Sequence, residues 1–227
     1  MYNDIDLALL QFFNGSDSVL IDQLILTLTH GLTWVPLYVA LFVMVLKNNE
    51  SAMQIFIVAA CCILGVGLTA GIDDLVVKPL VGRLRPTLDP QVSPLIDVAC
   101  GHTESGFSFF SAHSANTFTV ATYMMLLVRH HIFSVAITLW ALLNCYTRLY
   151  LGVHYPSDVL CGIVFGLIMG ALAYLVHLHF YKKHAPRFHY ISSAYTRTGY
   201  AIGDIDMVVA VLTFTIIYAL IWAVIIA

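Results

Sequence analysis

The sequence predicts an all-α fold, a bundle of six transmembrane helices in a single domain of 227 residues. Three observations predict it. Hydrophobic residues make up 60% of the chain and charged residues 10%, far below the roughly 25% charged of soluble domains. Mean hydropathy is +0.87. Apolar runs close to the ~20 residues that a helix needs to cross a bilayer recur along the chain. The length accommodates one such bundle with short loops and no added soluble domain.

In chain order, residues 1–19 form an interfacial segment. Ile5, Ala8, Leu9, Phe12 and Phe13 recur at helical spacing and Asn14-Gly15 is a stop, so IDLALLQFF is expected to lie along the membrane surface. No basic stretch with a small-residue cleavage site precedes it, which argues against a removable signal peptide. The expected spans are Leu24–Leu46, Met53–Ile72, Gly106–Val128, Ile132–Thr147, Val159–Val176 and Met207–Ala227. The fourth and fifth are short and are expected to continue into flanking Tyr and His residues, which suit the interface.

Orientation follows from the cations. With six spans, one side carries Lys47, Arg129, Lys182, Lys183, Arg187 and Arg197; the other holds Lys78, Arg83, Arg85 and Arg148 with ten of the thirteen acids. The positive-inside rule places the KKHAPR loop in the cytoplasm and RLYLGVHYPSD outside. The compact chain reads as bacterial, in the inner (cytoplasmic) membrane with its site facing the periplasm. Its expected setting is the bilayer, with no nucleic-acid partner; the oligomeric state stays open.

Cys61, Cys62, Cys145 and Cys161 lie in apolar runs and only Cys100 falls in an outside loop, so no disulfide is assigned. No zinc-type Cys/His spacing and no internal repeat is found.

Three outside segments carry the chemistry: KPLVGRLRP from Lys78, SFFSAHSANTF from Ser108, and RLYLGVHYPSD from Arg148 to Asp158. Together they bring three cations, two histidines and a carboxylate to helix ends on one membrane side, where ionisable groups are costly and read first as functional. Pro156 suits the first turn of a helix, which puts Asp158 within reach of the His154 ring to fix its tautomer. Ser111 suits a helix cap, whose free N–H groups favour an anion beside His113. Lys78, Arg85 and Arg148 supply charge for non-bridging oxygens. Such a set suits a transferring phosphoryl group.

The order Lys78, Arg85-Pro86, then Ser111 and His113, then Arg148, His154 and Asp158 resembles the three-part signature of the type 2 phosphatidic acid phosphatase family, which also includes vanadium haloperoxidases. The resemblance implies that His154 is the nucleophile forming a phosphohistidine and that Asp158 orients it. It makes His113 the acid for the leaving oxygen and then the base for water. It further implies that Lys78, Arg85, Ser111 and Arg148 bind phosphate, and that neither metal nor other cofactor is needed. Ala112 replaces the family's glycine and Thr147 its serine; neither makes or breaks a bond. The implied activity is hydrolysis of a lipid phosphate or diphosphate: undecaprenyl diphosphate, phosphatidylglycerol phosphate, phosphatidic acid or a lipid A phosphate. An outside site favours the first and the last. A phosphotransferase using the same phosphohistidine is the alternative within this chemistry, and a membrane transporter the alternative from another class. A transporter is expected to carry its charges near mid-membrane rather than at helix ends.

Other polar residues have two readings each. Arg83 reads as a substrate contact or a lipid-headgroup anchor. His102 and Glu104 read as a solvated loop or headgroup contacts, and Asp73 and Asp74, at the end of the second span near the active face, as candidate structural partners for nearby cations. His177, His179, His184 and His189 are expected to anchor at the interface rather than bind metal. Gly162, Gly166 and Gly170 are expected to admit a neighbouring helix inside the bundle.

Overall fold

The computed structural model describes residues 4–181 and 193–227 and is all helical, with no strands among these residues. The KKHAPR loop, with Lys182, Lys183, His184, Arg187 and His189, lies outside the described residues. Helix α1 (Asp4–Phe13) is the expected N-terminal helix; it exposes Ile5 and Phe12 while burying Asp6 and Leu10. An apolar face left open this way suits the membrane surface.

The first expected span is not one helix. It is α2 (Val19–Thr29) and α3 (Val35–Lys47), bent by 68°. His30 is extended at the break, Gly31–Trp34 forms a 3-10 turn, and Pro36 opens the first turn of α3, where its missing N–H costs nothing. Thr33 Oγ1 donates to Thr27 O at 2.5 Å and Trp34 Nε1 to Leu28 O at 2.8 Å, so side chains take up carbonyls that the break releases.

Helix α4 (Ala52–Ile72) starts on a capping box at Ser51 and Gln54, and runs through a π-helical turn at Asp73–Val77 into α5 (Lys78–Val81). The third expected span begins later than read: Gly106–Ser111 is not helical, and α6 is Ala112–Val128. At 17 residues, α6 is about 26 Å long, short of a ~30 Å hydrocarbon core. Helices α7 (His131–Tyr150) and α8 (Pro156–Tyr181) extend into Tyr and His as expected, and α9 is Ile202–Ile226.

Four of these segments are long and apolar enough to cross a membrane, and the bent α2–α3 pair makes a fifth. Their outward apolar side chains, such as Leu68, Leu139 and Phe214, are exposed as lipid-facing residues are. Helices α6 and α8 form the centre. A Cβ added at Gly162, Gly166 or Gly170 would lie 2.7, 2.4 or 2.7 Å from the carbonyl oxygens of Ser111, Ala115 and Thr119, so only hydrogen at these positions lets the backbones meet. Helices α4 and α7 flank α6, and α9 lies across α2 and α3. His177 is not an interfacial anchor: it is buried between the rings of Tyr174 and Tyr181, with Nδ1 3.2 Å from Tyr123 Oη.

Candidate active site

The connection between α7 and α8 is five buried residues, Leu151–Tyr155. Gly152 takes φ +64°, the left-handed region closed to most side chains, and a Cβ there would also meet Ile96 and Asn14 at 3.0 and 3.1 Å. Pro156 opens α8, and Asp158 reaches back from the first turn to accept the Tyr155 N–H at 2.9 Å. This local closure holds His154 in a wall of packed backbone, 2% exposed.

Asp158 Oδ2 lies 3.7 Å from His154 Nδ1, too far for a direct hydrogen bond. Ser108 fills the gap: its hydroxyl donates a short bond to Asp158 Oδ2 and sits 3.5 Å from His154 Nδ1. On the other edge of the ring, Arg85 Nη1 is 3.1 Å from Nε2 and 3.2 Å from Val153 O, and Arg85 Nε donates to Ser105 O at 3.1 Å. A guanidinium can only donate, so Nε2 is the acceptor and Nδ1 carries the proton toward Ser108 and Asp158. That tautomer leaves a lone pair on Nε2. Burial, with Arg85 and Arg148 adding to it and Asp158 opposing, depresses the His154 pKa to about 4, so the ring is neutral at neutral pH.

Arg148 is 1% exposed at the end of α7. It donates to Thr29 Oγ1 at 2.8 Å and makes a short ion pair with Glu104, whose second oxygen is 2.9 Å from Arg85 Nη1. Burial opposes ionisation of Glu104, yet Arg148 and Arg85 outweigh it and hold its pKa at about 2. His113, in the first turn of α6, lies close enough to Arg148, Glu104 and His154 for their charges to act on its ring. The structure therefore gathers His154, Asp158, Arg85, Arg148 and His113 around one point.

Two expected members have partners within the protein. Lys78 is paired with Asp73 at 2.9 Å and Asp74 at 2.7 Å, the cation-partner reading of those acids. Ser111 caps α6, its Oγ accepting from the Ser114 N–H at 3.4 Å and the Ser114 hydroxyl at 3.0 Å, and its N–H donates to Asp158 O at 3.1 Å. Arg83 has partners that the sequence reading did not foresee. It bridges Asp158 Oδ1 at 2.6 Å and Asp6 Oδ2 at 2.7 Å and lies 3.8 Å over the Tyr155 ring. Asp6 in turn accepts the Ser157 N–H at 2.8 Å, capping α8 from α1. Glu104 is no solvated loop residue. Ser108, Thr29 and Asp6 are the residues that sequence reasoning missed. Asp6 had a signal, a carboxylate inside an otherwise apolar helix.

A cavity of about 610 Å³ opens beside His113 and runs between α3, α4 and α6, past Asn116 and Val66 to Val45 and Val58. From Val66 to Val58 it follows about 12 Å of α4. No cluster of three or more potential metal ligands occurs among the described residues.

A family model described as the PAP2 superfamily matches residues 54–182. The chain belongs to the PAP2 superfamily. Among relatives in this superfamily, a lipid A 4'-phosphatase of Bacteroides thetaiotaomicron is 38% identical over 180 residues, 77% of each chain. A lipid A 4'-phosphatase of Porphyromonas gingivalis is 27% identical over 166 residues, 73% of this chain and 70% of that one. The crystal structure of a PAP2 type phosphatidylglycerolphosphate phosphatase from Bacillus subtilis superposes with a TM-score of 0.54 at 26% identity, covering 81% of this chain and 88% of that one. The matched PAP2 segment holds Lys78 to Asp158 and stops short of Asp6 and Thr29, so α1 and α2 brace the site from beyond it.

Proposed function

We propose that this PAP2 protein is a lipid phosphatase that removes a terminal phosphate from lipid A at the periplasmic face of the inner membrane. The observation that carries the reading is the convergence of two guanidiniums on one anion beside an acceptor nitrogen. Arg85 and Arg148 share Glu104, and Arg85 Nη1 is 3.1 Å from the lone pair of His154 Nε2. A phosphate held by the arginines would meet Nε2 once Arg85 Nη1 turns its N–H from the ring to a phosphate oxygen. The phosphohistidine step then forms the Nε2–P bond as the ester P–O bond breaks, with a proton passing from His113 to the leaving oxygen. In the second step His113 takes a proton from water, the new O–P bond forms and the N–P bond breaks. Ser108 and Asp158 hold the Nδ1 side and balance the charge that attack places on the ring.

The cavity supports a lipid substrate. Its volume is within the ~300–1,000 Å³ usual for ligand pockets, its walls are mostly apolar, and it starts at His113. The names of the two relatives favour lipid A over the other lipids this chemistry admits. The test is phosphate release by purified protein from lipid A, undecaprenyl diphosphate, phosphatidylglycerol phosphate and phosphatidic acid, with mass analysis of the lipid product. Lipid A is expected to lose one phosphate as free phosphate. Release from another lipid but not from lipid A overturns the substrate, and phosphate found on an acceptor lipid instead of in solution overturns hydrolysis. A membrane-impermeant thiol reagent added to spheroplasts is expected to reach the exposed Cys100; labelling only after lysis overturns the orientation.

A further inference from the structure

The place where phosphate is expected already holds an anion of the protein's own. Glu104 Oε2 is 2.9 Å from Arg85 Nη1, and Oε1 takes Arg148 Nη2, with His102 Nε2 3.8 Å from the same oxygen. Arg85 Nη1 is also the nitrogen that touches His154 Nε2. The carboxylate thus lies against the cations and next to the nitrogen placed to attack. Two oxygens do not exhaust the donors there, because Nε of the buried Arg148 has no hydrogen-bond partner among the described residues. Glu104 belongs to the irregular stretch 102–105, and its side chain is 28% exposed, so it can leave without unwinding a helix.

We propose that Glu104 is a tethered anion that occupies Arg85 and Arg148 at rest and yields to the substrate, selecting terminal phosphates over the phosphodiester headgroups of the surrounding bilayer. This rests on the phosphatase reading of the same site. A phosphomonoester carries about −1.5 to −2 at pH 7 and three terminal oxygens, whereas a diester carries a single charge, the same as Glu104. A short tether holds its group at an effective concentration in the millimolar range. A diester must therefore compete with an equal charge that is already in place. A terminal phosphate gains more from two guanidiniums and has an oxygen to spare for Arg148 Nε. Specificity against an abundant competitor is built in this way by what the wrong ligand fails to displace.

The test compares wild type with Glu104→Gln, which keeps the shape and removes the charge. Binding of radiolabelled inorganic phosphate is measured by equilibrium dialysis in detergent, with phosphatidylglycerol in mixed micelles as competitor. Glu104→Gln is expected to bind phosphate at least tenfold more tightly and to release it to phosphatidylglycerol, which leaves the wild-type complex intact. Glu104→Asp is expected to fall between the two. Equal or weaker phosphate binding by Glu104→Gln, or a competitor without effect on either protein, overturns the inference while hydrolysis by wild type still upholds the phosphatase reading. Failure of both proteins to bind phosphate overturns both. In unmodified protein, saturating phosphate is expected to speed proteolysis within residues 98–106, and unchanged or slower cleavage counts against the displacement independently of any variant's folding.

Discussion

Replacing Arg83 by Met tests whether α1 reaches the reaction through one guanidinium. Arg83 Nη1 donates to Asp158 Oδ1 at 2.6 Å and to Ser157 Oγ at 2.8 Å, and Nη2 to Asp6 Oδ2 at 2.7 Å. The Asp158 side chain is 0% exposed and that of Asp6 9%, so the substitution removes the cation from two carboxylates that have little access to water. Breaking a buried pair from one side costs about 3–5 kcal/mol. Met conserves most of the stem, so little of that loss comes from packing against Tyr155. Asp158, freed on one oxygen, no longer fixes Ser108 and the His154 ring, and misplacement by about 1 Å can cost roughly 10²-fold in rate. The expected outcome is a roughly 10–100-fold fall in kcat, an unchanged KM for the lipid, and a lower melting temperature in detergent. Asp6→Asn is expected to reproduce part of the stability loss and to be non-additive with Arg83→Met by about 0.5–3 kcal/mol. Lys at 83 is expected to rescue partly, since a point charge cannot serve both carboxylates in forked geometry. Arg83→Met with kcat within twofold of wild type and unchanged melting refutes the reasoning. An effect confined to KM restores Arg83 as a headgroup contact.

Three further outcomes separate the roles. Because the depressed pKa keeps the ring uncharged until pH falls through about 4, NMR of histidine-labelled protein is expected to show one imidazole, missing in His154→Gln, that is still neutral at pH 6; a midpoint near 6.5 contradicts the burial argument. Ser108→Ala removes a bond to a charged group, worth about 1.5–3 kcal/mol, and is expected to lower kcat about tenfold or more. Ser111→Ala costs about 1 kcal/mol of helix capping and is expected to lower stability more than kcat; the reverse ranking of the two serines returns the phosphate-side role to Ser111. Gly166→Ala puts a Cβ 2.4 Å from Ala115 O and is expected to destabilise by about 1–3 kcal/mol, while Gly67→Ala, with nothing within 4 Å, is expected to be silent in the same thermal denaturation.

What could be read in the sequence was whatever depends on near neighbours. Pro156 and Asp158 are two residues apart, and the turn that joins them needs no distant partner. Ser111 as a cap, the glycine stripe of α8 and the long apolar helices are local in the same sense, because capping and helical periodicity act over three or four residues. The break after Thr29 was hidden because its residues are apolar on both sides, and a hydropathy run does not register a 68° bend. Gly31 and Pro36 were its only local marks. The remaining site residues are joined across the chain: Ser108 to Asp158, Thr29 to Arg148, and Asp6 to Ser157, which lie 50, 119 and 151 positions apart.

These long-range contacts change how the charge in the site is understood. Counting cations at helix ends gave an excess of positive charge awaiting an anion, yet each cation there has a carboxylate: Lys78 has Asp73 and Asp74, Arg83 has Asp6 and Asp158, and Arg85 and Arg148 share Glu104. A site that buries Arg85 and Arg148 cannot keep bare guanidiniums without a large desolvation cost. Carboxylates set against these cations are therefore what lets the helices assemble before any substrate arrives. The three sets differ in how firmly the acid is held. Asp74 is exposed, but each of the other two sets keeps a carboxylate under a tenth exposed on a helical segment, Asp73 in one and Asp6 and Asp158 in the other, whereas the sole acid between Arg85 and Arg148 among the described residues, Glu104, is more than a quarter exposed on an irregular loop. Of the three pairings, the one beside His154 Nε2 is the one built to open.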